Sequence, residues 1–370
     1  MNVRSASFRD LGRIEQLHRE AVAREDDGAG AAIAGADSPV PQTTLVRLWY
    51  GVSKALSGLV PVTDSGTSLL VAEDGEGGLA GFIAAQGVPG QPKAWHVTNL
   101  CVAPTARGHF AGAPLLQALV NQGVEHSVTR YMVRVPLGHP LLGLFLEQGF
   151  SQYATEQILF RDDSGGAPRL SAAEPVLRLA RREDVGAIHL LYLRTAPSHV
   201  HNVEGPSQKA WMASFQGGCM TRLGRDDMRH LVCERPGVVA WAGVRAASQV
   251  RPALLCLMCD GQDARLRDEV VDAALAHLAP GPVSCVLRHY DSELIRSLQR
   301  RGFEVFGSQL LLVRDLAVRV RAPEPVREKK KKHAFAHAGL ARSLPAPIPI
   351  PLPSAPSHAN PQRSSRSSLR

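Results

Sequence analysis

The sequence predicts an α/β (α+β) chain in which one mixed-sheet module is built twice and a tail follows. Three observations carry that expectation. Blocks of sequence from the first half return, in the same order, in the second. Within each half, strand-like and helix-like apolar spacings alternate. Residues 323–370 then shift to Pro, Ser and Lys.

The repeat opens with Arg4-Ser-Ala-Ser-Phe-Arg-Asp10, which returns as Arg178-Leu-Ala-Arg-Arg-Glu-Asp184. Each block runs into helical spacing, through Ile14, Leu17 and Ala21 in one copy and Ile188, Leu191 and Tyr192 in the other. Leu70-Val-Ala-Glu73 and Leu79-Ala-Gly-Phe-Ile83 have counterparts in Leu231-Val-Cys-Glu234 and Trp241-Ala-Gly-Val244. Each pair reads as a hairpin. The clearest match sets 149–162 on 302–315 without a gap, sharing Gly-Phe at the start and Arg-Asp at the end. Three matches in one order point to duplication, with modules at 1–165 and 175–320 and a Gly/Pro-bearing linker between them. In the first copy, helices are expected near 8–24, 42–57, 111–124 and 139–148. Strands are expected near 68–74, 78–86, 94–103, 130–135 and 152–161. Each module is then a mixed, mostly antiparallel sheet flanked by helices.

Composition narrows the function. A hydrophobic share of 44% suffices for sizeable cores. The net charge is +8, yet residues 323–370 hold Lys329 to Lys332 and five arginines against Glu324 and Glu328. The folded part is close to neutral, so a nucleic-acid partner is not indicated. The end of the chain reads as a disordered, basic, Pro/Ser-rich tail. No apolar run has the length of a membrane span, and the six cysteines are scattered, so a cytoplasmic protein with reduced thiols is expected. Cys256 and Cys259 would face opposite sides of a strand. His199 and His201, expected in a loop, lack acidic companions, and no metal site is expected.

The chemistry concentrates in one connection. Ala94 to Ala103 reads as a strand, Pro104 to Ala113 as a loop, and Pro114 onward as a helix. Unpaired N–H groups and the dipole at such a helix start attract anions. Gly108 and Gly112 would let the backbone approach a ligand, and Arg107 supplies a cation. A pyrophosphate is the natural guest; an ordinary strand-to-helix connection is the alternative. On the strand, His96, Thr98, Leu100 and Val102 are expected on one face, and the ordinary pKa of His96 suits a base at neutral pH.

This strand, loop and helix resemble the central motif of the GNAT superfamily of N-acetyltransferases, and Leu144-Phe-Leu-Glu-Gln-Gly-Phe150 resembles the family's Leu-Tyr-x-x-x-Gly-Phe. The resemblance covers most of 1–165 and, weakly, 175–320. It implies acetyl-CoA as co-substrate and a primary amine of a small molecule or peptide as acceptor. The main chain of Leu100, Cys101 and Val102 would meet the pantetheine. Arg107, Gly108, His109, Phe110, Ala111 and Gly112 would hold the phosphates. His96 is the candidate base and Tyr153 a weaker candidate acid. Two departures favour the alternative, a non-catalytic acyl-CoA-binding or regulatory protein: Phe110 replaces a family glycine, and Phe145 the tyrosine. In the second copy Leu266 and Val270 stand at the glycine positions and Leu298 at the tyrosine position. There Asp268 and Glu269 are expected to oppose a pyrophosphate, which makes this copy a degenerate module.

Overall fold

A computed structural model describes residues 1–23, 31–34, 67–75, 77–88, 90–103, 111–162, 176–216, 228–247, 252–260 and 263–316. The expected helix at 42–57 and the tail at 323–370 lie outside these residues. The described strands form one sheet. In the first half they are β1 (Asn2–Ser5), β2 (Ala31–Ala34), β3 (Thr67–Glu73), β4 (Leu79–Val88), β5 (Gln91–Val102), β6 (Arg130–Pro136) and β7 (Ser151–Arg161). In the second they are β8 (Arg178–Leu179), β9 (Arg229–Glu234), β10 (Val238–Arg245), β11 (Ala253–Cys259), β12 (Val283–Arg288) and β13 (Glu304–Asp315). The helices are α1 (Leu11–Ala23), α2 (Gly112–Glu125), α3 (Leu142–Glu147), α4 (Val185–Thr195), α5 (Ser198–Glu204), α6 (Gln208–Gln216), α7 (Ala264–Ala276) and α8 (Ser292–Gln299).

The repeated opening has a physical cause. Arg4 Nη1 donates to Asp10 Oδ2 at 2.7 Å, and Arg4 Nη2 reaches Glu73 Oε1. Arg178 makes the same fork to Asp184 at 2.7 Å and to Glu234 at 2.7 Å. One arginine thus ties the turn that starts the helix to the neighbouring strand, in both copies. The Arg4 guanidinium, with the hydroxyl and N–H of Ser7, holds the Asp10 carboxyl well below the usual carboxylate range. A carboxylate lowered in this way stabilises the fold at neutral pH, and the contribution drains away as pH falls below about 4. Asp10→Asn is therefore expected to lower the thermal midpoint by about 3 °C at pH 7 and by less at pH 3, in melts recorded at both values.

The repeated Gly-Phe ends a helix in each half. Gly149 and Gly302 adopt φ of 80° and 82°, a conformation that glycine takes without strain. Phe150 and Phe303 then turn into the cores.

Helices cover both sheet faces. α2 and α3 close the main core of the first half, and α1 packs on the other side over Val71, Phe82 and Cys101. In the second half α7 and α8 cover one face while α4 and Trp211 of α6 cover the other.

The halves are interlaced. The strand order is β1-β3-β4-β5-β6-β13-β7-β12-β11-β10-β9-β8, with β2 on β5. β13 pairs antiparallel with both β6 and β7, and β7 pairs antiparallel with β12. Each half supplies a strand that fills a place in the other's sheet. The two segments with the clearest repeat are these two central strands.

Candidate functional site

The site is built where β5 and β6 part. They pair in parallel only from Ala94↔Arg130 to Val97↔Val133. At the same level β5 is bulged, because its register with β4 passes from Ala85↔Val97 to Ala84↔Asn99 and leaves Thr98 as the extra residue. The bulge changes which side chains share a face. Trp95, Val97, Leu100 and Val102 all point into the core under α2, and Cys101 points to the α1 side. The expected single face of His96, Thr98, Leu100 and Val102 is therefore broken at Thr98.

Cys101 is buried, its thiol donates to the Leu17 carbonyl at 3.8 Å, and burial pushes its pKa up to about 12. Only its main chain is suited to a ligand. That edge of β5 is already paired: Ala31, Ala32, Ile33 and Ala34 of β2 lie antiparallel to Val102, Cys101, Leu100 and Asn99. A segment of the same chain thus holds the main-chain edge expected to receive the pantetheine.

Arg107, Gly108, His109 and Phe110 lie outside the described residues. Ala111 and Gly112 begin α2. A Cβ on Gly112 would collide with Leu144 Cδ2, so the glycine at this position lets α2 pack against α3. Ala111 gives α2 no side-chain cap. The corresponding helix start in the second half is closed differently. The Asp263 carboxylate accepts from the N–H groups of Arg265 at 2.9 Å and Leu266 at 3.2 Å. Asp268 and Glu269, expected at the phosphate position, face elsewhere. Asp268 accepts from Ser297, Arg300 and Arg301, and Glu269 from Arg235 and Arg265. The opposing carboxylate is Asp263.

His96 sits 3.4 Å from Arg134, Nε2 to Nη1. Burial and then the Arg134 charge lower its pKa to about 3. Protonating His96 would place two cations side by side, so the geometry corrects the expectation of a base there. The Tyr153 hydroxyl donates to Glu204 Oε1 at 3.1 Å, and burial with the Glu204 charge raises its pKa, so it is engaged and a poor acid. Phe145 is fully buried, edge-to-face with Phe150 at 5.1 Å, and Leu298 is likewise core. His199 and His201 belong to helix α5 rather than a loop, with the His201 ring 5.3 Å from that of Tyr192. Cys256 and Cys259 pack into different cores on opposite faces of β11.

A buried ionic string on the α4–α6 face of the sheet escapes sequence reading. Glu156 accepts from Arg134 Nε at 3.2 Å and Gln309 Nε2 at 2.5 Å, and pairs with Arg288. Arg288 also pairs with Glu204, which accepts from Tyr192 at 3.2 Å. Its members come from β6, β7, β12, β13, α4 and α5, so no local motif marks it.

Residues 46–150 match the Acetyltransferase (GNAT) family. The matched segment lies within the first module, which is similar to that family over these residues. No curated protein matches the sequence. Among solved structures, a GCN5-related N-acetyltransferase from Sphaerobacter thermophilus is similar over 85% of this chain and 95% of its own, at 15% identity and a TM-score of 0.50. A tandem GNAT protein from the clavulanic acid biosynthesis pathway is similar over 85% and 98%, also at 15% identity and 0.50. The glucosamine N-acetyltransferase region of a fungal multi-domain GH3 beta-N-acetylglucosaminidase reaches 0.54 at 14% identity, over 85% of this chain and 38% of that one. These likenesses establish the GNAT fold across both halves.

Proposed function

We propose that the first module transfers the acetyl group of acetyl-CoA to a primary amine. One observation carries this reading: α2 starts at the end of β5 without a side-chain cap, whereas Asp263 closes the matching helix of the second half. Among the described residues no side chain caps the first helix start, and Arg107, Gly108, His109 and Phe110 precede it in the sequence. When bound, acetyl-CoA supplies an activated thioester carbonyl. The amine forms the new C–N bond, the C–S bond breaks, and the proton passes to water or the departing thiolate, because neither His96 nor Tyr153 is set to exchange it. The buried Phe145, with no hydroxyl at that position, favours a second reading, an acyl-CoA-binding regulator.

Calorimetry with acetyl-CoA, followed by thiol release over an amine panel, tests both. Binding with thiol release supports the enzyme, and binding without it favours the regulator. An absence of binding overturns both readings. Because β2 holds the β5 edge, Ile33→Pro, which removes a backbone donor from β2, is expected to tighten acetyl-CoA binding about tenfold in the same titration.

A further inference from the structure

A cavity of about 490 Å³ lies on the α4–α6 face of the sheet, across the seam of the two halves. Arg134, Glu156 and Arg288 line its floor, and Tyr192, Glu204 and Trp211 its roof. We propose that this cavity receives the acceptor, and that it selects an amine carried on an uncharged aromatic or aliphatic body. The proposal rests on the reading of the first module as an acetyltransferase, and in it the second half serves as a wall of the acceptor site.

Position is the first argument. Arg134 forms one end of the cavity and lies 3.4 Å from His96, just past the last paired rung of β5 and β6. Arg134 thus links the cavity floor to the point where β5 and β6 part. Charge is the second. Arg134 and Arg288 are already matched by Glu156 and Glu204, so the floor offers an anionic substrate no unengaged cation. Arg245 lines the opposite end, on β10, two strands across from Arg288 and four residues along from its level, about 16 Å away between main chains. A third carboxyl in the lining is Asp291, whose side chain makes no cap to α8. Burial raises its pKa to about 7, which leaves it able to accept from or donate to a polar ligand atom. The remaining walls are largely apolar or aromatic, including Ile158, Met258, Val286 and Tyr290 beside Trp211. Such surfaces bind a neutral body and discriminate against a carboxylate carried on it.

Trp211 provides a readout that needs no acetyl-CoA. Phenethylamine titrated into the full chain is expected to change tryptophan emission saturably, with a Kd of about 1 mM or tighter, and the change is expected to vanish in Trp211→Phe. Phenylpropionate, similar in shape but anionic, is expected to bind at least about tenfold more weakly. Val286→Phe, which fills the cavity from β12, is expected to weaken phenethylamine about tenfold while a thermal melt confirms the fold. No saturable change up to about 10 mM, equal binding of phenylpropionate, or an indifferent Val286→Phe overturns the proposal. Thiol release at saturating acetyl-CoA separates the two readings. Phenethylamine that binds but is never acetylated keeps the amine site and overturns the acetyltransferase reading. Acetylation with an unchanged KM in Val286→Phe overturns the site.

Discussion

Residues 1–165 expressed alone are expected not to give a folded monomer, although they carry all of the matched GNAT segment. The reason lies in strand directions. β13 is antiparallel to both β6 and β7, so β7 runs parallel to β6 with one place between them. In the whole chain β13 fills that place, and β7 in turn fills the place beside β12. Cut at the linker, the first half keeps β7 but leaves the gap beside β6 open. β7 cannot fill the gap by a small shift, because it would have to reverse its direction. Two outcomes are open to such a fragment: aggregation through unpaired edges, or a homodimer in which each copy's β7 fills the other's gap. Size-exclusion chromatography with urea unfolding checks this. A monomer with a cooperative transition would contradict it, while residues 1–319 are expected to retain one cooperative transition.

That exchange shows where sequence reading stops. The repeat, the hairpins and the Gly-Phe helix ends are legible because each is a local pattern: an arginine six residues before an aspartate, or a glycine where a helix must turn. β7 and β13 are recognisable as related strands, but their likeness is the very reason their partners cannot be assigned from sequence. Either segment suits either neighbour, and only the whole sheet decides. The bulge at Thr98 carries no glycine or proline, so period-two alternation runs through it unbroken and puts His96 on the wrong face. β2 is Ala-Ala-Ile-Ala, too short and too poor in strand formers to stand out. Asp263 is visible, since an aspartate just before a helical run is an N-cap signal, but the acidic pair one turn later is the more conspicuous feature. The ionic string has no sequence signal, because its pairs are separated by up to 153 residues.

Glu156→Ala is expected to cost about 3–5 kcal/mol, the largest effect of any single substitution considered. Glu156 is 3% exposed and is the acceptor for groups from three strands. Removing it strips Arg134 of its partner, leaves Gln309 without its acceptor, and halves the compensation of Arg288. Burial alone would favour loss of the Arg288 proton; Glu156 and Glu204 outweigh that and hold the guanidinium charged. With Glu156 gone, a buried cation is left with one carboxylate, and the cost falls on the seam between the halves rather than on either core. Glu156→Gln keeps the hydrogen-bonding shape and loses only the charge, so it is expected to fall between wild type and alanine in urea unfolding. Glu156→Leu combined with Arg134→Leu removes an ion pair whole and leaves Arg288 with Glu204, so it is expected to be more stable than Glu156→Leu alone. If the double variant is no better than Glu156→Leu, the unpaired Arg134 charge is not the source of the loss, and repacking of the apolar cavity walls would have to account for it.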